Sequence, residues 1–257
     1  MKKTFMLLMA MVMVVMMAAG CGGGEKKKAE APKVLRVGTE PTFAPFEFQK
    51  DGSKEFDGFD MDLIRAIGKQ LNMKVEILNM GFDALIPALN AGNIDVAAAG
   101  MSITPDRQKA VDMSDPDYVA GLVVVVNKDN TAVKGINELN NKAIAVQIGT
   151  TGAERAAKVP GAKVKNFNTN AEVFLELKNK GVEAVIIDKP VAEYFLATGG
   201  GKDYAKIVGD TMEAESYGLS LKKNSPLTKD INKALLDLKK NGEYDKIYAK
   251  WFGAVKK

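Results

Sequence analysis

Three charged side chains stand where the chain leaves regular structure. Arg107 falls in the first turn of a helix opened by Thr104-Pro105-Asp106, Asp188 precedes Lys189-Pro190 at the start of another, and Glu40 sits just past a short β-rich run. A planar guanidinium fork suits a carboxylate bidentately, and a desolvated carboxylate suits a cation. Each residue also has a plainer role: Arg107 as a solvated surface charge, Asp188 as a helix N-cap, Glu40 as a solvent-facing carboxylate at a strand end. Phe43 and Phe82 are core residues by default. An aromatic face also stabilises a flat cation or amide by roughly 0.5–2 kcal/mol.

Other chemistry is excluded. The chain has no histidine, which removes the commonest general base and neutral metal ligand, and with it any Ser–His–Asp or Cys–His pair. There is one cysteine, so neither a disulfide scaffold nor a Cys/His zinc cluster is available. Gly200-Gly201-Lys202-Asp203 lacks the Ser/Thr and upstream Gly of a phosphate-binding loop, and no G-x-G-x-x-G follows a strand. No metal, cofactor or catalytic step is expected. The 257 residues are 46% hydrophobic and 26% charged, an ordinary globular composition. No basic run within the body suggests nucleic acid.

The first twenty residues read as an address. Two lysines are followed by an apolar stretch from Phe5 to Ala19, matching a secretory leader and too short to cross a ~30 Å hydrocarbon core comfortably. Ala18-Ala19-Gly20-Cys21 resembles the lipobox of bacterial lipoproteins, with Ala18 where Leu is usual. That resemblance implies cleavage before Cys21 and its diacylation. Residues 21–32, Gly-, Lys- and Glu-rich, read as a flexible tether, and two acyl chains suffice for stable anchoring. With Lys2 and Lys3 removed, 36 basic residues become 34 against 32 acidic, a balance of +2.

From Lys33 the periodicity alternates between strand and helix. Strands are expected at Val34–Thr39, Val75–Leu78, Ile94–Ala99, Gly121–Val126, Ala143–Gln147, Lys163–Asn166, Ala184–Ile187, Tyr204–Val208 and Tyr217–Leu221. A hairpin over Phe46–Phe56 turns at Asp51-Gly52-Ser53. Helices are expected at Phe59–Leu71, Phe82–Asn90, after Thr104, near Thr151–Lys158, and at Asn170–Lys180, Lys189–Ala197, Pro226–Asn241 and Glu243–Phe252. Such alternation argues for an α/β architecture of parallel sheets covered on both faces.

Several segments in order resemble the bacterial extracellular amino-acid-binding proteins of ABC importers. They are Phe43-Ala44-Pro45-Phe46-Glu47-Phe48, Gly58-Phe59-Asp60-Met61-Asp62-Leu63, Ile86-Pro87-Ala88-Leu89, Ala99-Gly100-Met101-Ser102-Ile103-Thr104-Pro105-Asp106-Arg107, Asp112-Met113-Ser114-Asp115-Pro116 and Trp251-Phe252-Gly253. The resemblance implies the two-lobed, Venus-flytrap form of the periplasmic-binding-protein fold (type II). Lobe I would be Lys33–Ala120 plus Ser216–Lys257, and lobe II Gly121–Glu215. Two crossing hinge strands, Gly121–Val126 and Tyr217–Leu221, would join them. It implies a non-enzymatic, monomeric protein held outside the cytoplasmic membrane by its lipid anchor. Such a protein would capture a free L-amino acid by lobe closure and deliver it to a membrane permease and ATPase.

The same resemblance implies a site. Arg107 would pair with the ligand α-carboxylate, helped by backbone N–H groups near Ser102 and Thr151, and Asp188 would hold the α-ammonium. Phe43 and Phe82 would sandwich the ligand side chain, and Glu40 would face its far end. Gly100, Gln147 and Thr150 complete the expected lining. Glutamine-binding relatives carry Asp at position 40, Lys at 147 and His at 187; this chain has Glu40, Gln147 and Ile187. Glu40 and Asp188 against Arg107 leave a closed cleft one positive charge short, and an unpaired buried charge costs several kcal/mol. A basic ligand follows: arginine first, then lysine, ornithine or histidine. A glutamine binder is the nearest alternative, and a dehydratase on the same fold a remote one.

Overall fold

The chain's structure, a computed structural model, describes residues 33–253 other than Asp51 and Gly199. The leader, the tether, Cys21, the first residue of the expected hairpin turn and the last four residues lie outside the described residues.

The first half runs β1 (Lys33–Thr39), β2 (Thr42–Phe43), β3 (Glu47–Gln49), β4 (Phe56–Asp57), α1 (Phe59–Gln70), β5 (Met73–Asn79), α2 (Leu85–Ala91), β6 (Val96–Ala97), α3 (Pro105–Ala110) and β7 (Val111–Met113). It continues through β8 (Tyr118–Asn127), β9 (Ala143–Gln147), α4 (Thr151–Ala157), β10 (Lys163–Phe167), α5 (Asn170–Lys178), β11 (Ala184–Asp188), α6 (Lys189–Thr198), β12 (Ala205–Val208), β13 (Ala214–Tyr217) and β14 (Ser220–Lys222), then closes with α7 (Leu227–Lys240) and α8 (Glu243–Phe252).

Two larger sheets result, ordered β5-β1-β6-β14-β7 and β10-β9-β11-β8-β12, with β13 also paired to β8. The expected parallel sheets are mixed. β1 is parallel to β5 and β6, and β9 is parallel to β10 and β11. β14 is antiparallel to β6 and β7, and β8 is antiparallel to β11, β12 and β13. The antiparallel members are the strands through which the chain passes between the sheets. β8 starts at Tyr118 rather than Gly121, pairs first with β13 (Tyr118 opposite Tyr217, Gly121 opposite Ala214), then enters the second sheet beside β11. The expected strand Tyr217–Leu221 is two strands. Its first residue ends the ladder with β8, whereas Ser220 pairs with Ala97 and Met113 of the other sheet, so the chain must break between them.

Burial explains the patterns. In β8 the run Leu122–Val126 is apolar throughout because the strand is covered on both faces. Leu122, Val124 and Val126 join one core cluster, and Val123 and Val125 another. Helix α1 buries Leu63, Ile64 and Ile67 on a 3–4 spacing and lies close over β5 at Gly68, where a Cβ would come 2.4 Å from Val75 Cγ2. Thr104 caps α3 through its side-chain oxygen, which accepts from Arg107 N, with Pro105 in the first turn. The expected helix Phe82–Asn90 opens as a 3₁₀ turn, Phe82–Ala84, before α2.

Aromatic rings fill the space under the crossing strands. Phe46 is fully buried and packs edge-on against Tyr118 (4.9 Å between centroids), Tyr217 (5.2 Å) and Phe59 (6.1 Å), and against Phe252 of α8 at 5.3 Å. The closing Trp251-Phe252-Gly253 motif is therefore structural. It backs Phe46, and Phe46 in turn stacks on Phe43 at 5.7 Å.

Candidate functional site

Each expected site residue follows the carboxyl end of a strand or the helix beyond it. Glu40 follows β1, Gly100 and Ser102 follow β6, Gln147 ends β9, Thr150 and Thr151 open α4, and Asp188 ends β11. That is where open α/β sheets present their crevices. All ten expected residues line one cavity of about 310 Å³, together with Glu47 and Ala99.

Glu40 is not at the solvent; it is 4% exposed. Its Oε2 accepts from Thr42 Oγ1 (2.7 Å) and from Gln147 Nε2 (2.8 Å). Gln147 is itself fixed, donating also to the Asn168 carbonyl (3.0 Å) and accepting from Asn170 Nδ2 (2.9 Å). Both partners of Glu40 are neutral, and burial pushes its carboxyl above the ordinary range. Because Glu40 leaves the first sheet and Gln147 the second, this bond spans the cleft. The Asn170 backbone N–H donates to Thr42 Oγ1 (3.0 Å) across the same seam.

Arg107 lies at the other end, buried. Its Nη1 donates to the Ser102 carbonyl and its Nη2 to the Gly149 carbonyl, both at 2.9 Å, so the guanidinium also joins the two sides. A guanidinium carries five N–H donors, and two carbonyls leave three for an anion. Phe82 sits beneath it, with Cζ 5.3 Å from the ring centroid. The Phe82 ring, expected to sandwich a ligand side chain, thus supports the guanidinium while lining the cavity. Phe43 faces the cavity next to Gly100, where φ is +52° and a Cβ would meet the Phe43 ring at 2.6 Å. Only glycine fits that contact.

Asp188 stands directly before α6, at the N-cap position, and its carboxylate accepts the Tyr217 hydroxyl at 2.5 Å. Burial pushes its carboxyl up to about 7 despite that bond. Glu47 was missed. It is 1% exposed, its Oε2 has no partner among the described residues, and it lines the cavity. Its ladder partner in the β2–β3 hairpin is Phe43, so both side chains point to the same face. The Phe46-Glu47-Phe48 alternation carried a signal, but one that reads equally as a solvent-facing carboxylate. Burial, reinforced by Asp60, holds the Glu47 carboxyl well above its ordinary value. Asp60 donates no charge cheaply either: burial raises it to about 7 even though Gly100 N–H bonds its Oδ2 at 2.9 Å. Glu47 thus resists ionisation, and Glu40 and Asp188 share the cavity wall with a single guanidinium.

The Ser102 and Thr151 side chains are engaged apart from the backbone N–H groups expected to meet a ligand. Their hydroxyls both donate to one oxygen of Glu215, at 2.6 and 2.7 Å, and Thr150 caps α4 while donating to the Gln147 carbonyl at 2.8 Å. Glu215 and Tyr217 were also missed. Their partners lie 29 to 113 residues away in sequence, and no local pattern marks them.

Residues 35–254 match the bacterial extracellular solute-binding proteins, family 3. The chain is 34% identical over 224 residues to a probable histidine-binding protein of Neisseria gonorrhoeae, covering 86% of this chain and 83% of that protein. Among solved structures, an ancestral arginine-binding protein bound to arginine superposes with a TM-score of 0.83 at 46% identity, covering 87% of this chain and all of that one. The same description bound to glutamine gives a TM-score of 0.80, also at 46% identity and with the same coverage. With the matched segment spanning nearly all of the described residues, this two-lobed α/β chain belongs to the bacterial extracellular solute-binding proteins, family 3.

Proposed function

We propose that this chain is the substrate-binding component of an amino-acid ABC importer, selective for a basic L-amino acid and best suited to arginine. The carrying observation is the cavity whose wall holds two buried carboxylates, Glu40 and Asp188, with one guanidinium, Arg107. Arg107 takes the α-carboxylate with its remaining N–H donors, and Asp188 takes the α-ammonium. The side chain runs past Phe43 toward Glu40, where a guanidinium forks onto the carboxylate. An extra positive charge on the ligand compensates Glu40, which has only neutral partners. The arginine-binding and histidine-binding names of the similar proteins support the class.

Lobes with the limits expected from the sequence would close over the ligand, and the bonds Glu40–Gln147 and Arg107–Gly149 would form on closure. The closed form would dock on a permease and ATPase, with Cys21 lipidated and tethering a monomer outside the membrane. The chain itself performs no reaction. Glutamine is the second reading. It is favoured by the Gln147 amide already bonded to Glu40 and by the similar structure bound to glutamine.

Isothermal titration with arginine and glutamine tests the site. Arg107→Ala is expected to abolish binding of every amino acid, because the carboxylate clamp is shared; unchanged affinity refutes the placement. Glu40→Gln is expected to weaken arginine by about 2–5 kcal/mol and glutamine far less. Equal losses contradict selection by charge.

A pH dependence follows from Asp188. Its carboxyl titrates near 7 in the ligand-free cleft, whereas an ammonium ligand requires the ionised form. Below that pH, binding must expel a proton, so arginine affinity is expected to fall as pH drops from about 8 to about 5. Affinity constant over that range excludes the assigned role for Asp188.

A further inference from the structure

Glu215 lies on β13, half-buried, and outside the cavity lining. It borders a neighbouring open cleft, and Thr151 forms part of the wall between the two spaces. From that outer side a single Glu215 oxygen accepts both the Ser102 hydroxyl (2.6 Å) and the Thr151 hydroxyl (2.7 Å). A hydroxyl has one hydrogen to donate, so both are turned away from the cavity. A ligand carboxylate is then left with backbone N–H groups and Arg107.

The two hydroxyls come from opposite sides. Ser102 is fixed to the first sheet's approach, bridging Tyr217, and the neighbouring Ile103 N–H bonds the Ser216 carbonyl at 2.7 Å. Thr151 opens the helix that follows β9 in the second sheet. Arg107 spans the same seam from inside, between the Ser102 and Gly149 carbonyls.

We propose that Glu215 is a positioning residue, a clip on the outer wall of the cleft that ties Ser102 to Thr151 in the closed form and slows ligand escape without touching the ligand. This rests on the reading of the cavity as an amino-acid site. Charge-assisted bonds of this kind are the stronger ones; the Ser102 bond lies beside the Ser102–Tyr217 bridge, and the Thr151 bond joins the second side to it.

Stopped-flow binding of arginine, lysine and glutamine to wild type, Glu215→Ala and Ser102→Ala/Thr151→Val tests it. Glu215→Ala is expected to weaken all three ligands about tenfold to a hundredfold, mostly by faster dissociation, with their ratios unchanged. Adding Ser102→Ala/Thr151→Val to Glu215→Ala is expected to change nothing further. An unchanged dissociation rate, altered ligand ratios, or additive losses overturn the clip. If the wild type binds none of these amino acids, the reading of the cavity fails instead. The clip is then read without ligand, from distances between spin labels at positions 69 and 158 in a Cys21→Ser background. Glu215→Ala is expected to lose the short-distance population; distributions identical to wild type overturn it.

Discussion

Taking Glu40 and Asp188 out of water is the demand around which the cleft is built. Each carboxylate loses several kcal/mol of hydration on burial, and the polar groups nearby return only part of it. Glu40 receives a threonine hydroxyl and a glutamine amide, and Asp188 a tyrosine hydroxyl. None of these partners carries a positive charge. Arg107, the cavity's guanidinium, is held at the far end by two backbone carbonyls and a phenylalanine ring. A small molecule with two cationic groups and one anionic group completes such an arrangement, and a neutral or acidic one does not.

The scaffold holds these groups by ordinary means. Strand ends place them, and the aromatic cluster under the crossing strands keeps those ends from drifting. Phe252 backs Phe46, Phe46 backs Phe43, and Gly100 lets the Phe43 ring lie against the backbone. Glu47 rides on the same hairpin, and burial and neighbouring acids both oppose its ionisation.

Much of this was legible in the residues. Ala143–Gln147 and Glu243–Phe252 fall where periodicity puts them, because both elements are bounded by clear turn signals and present one buried pattern. The cavity lining was legible through the resembling motifs, which carry strand-end positions in a fixed order. Three things were not. The antiparallel membership of β8 and β14 depends on how the chain crosses between sheets, which local pattern does not encode. Glu47 alternates with two phenylalanines and reads as exposed until its pairing with Phe43 is known. Glu215 meets Ser102 and Thr151 only through tertiary closure.

Charge selection can be isolated from shape. Citrulline has the length and planarity of arginine but a neutral urea in place of the guanidinium. Calorimetric titration of the wild-type protein with both ligands at neutral pH is expected to show arginine bound at least about a hundredfold more tightly. Equal affinities would contradict the claim that a buried deficit of positive charge chooses the ligand.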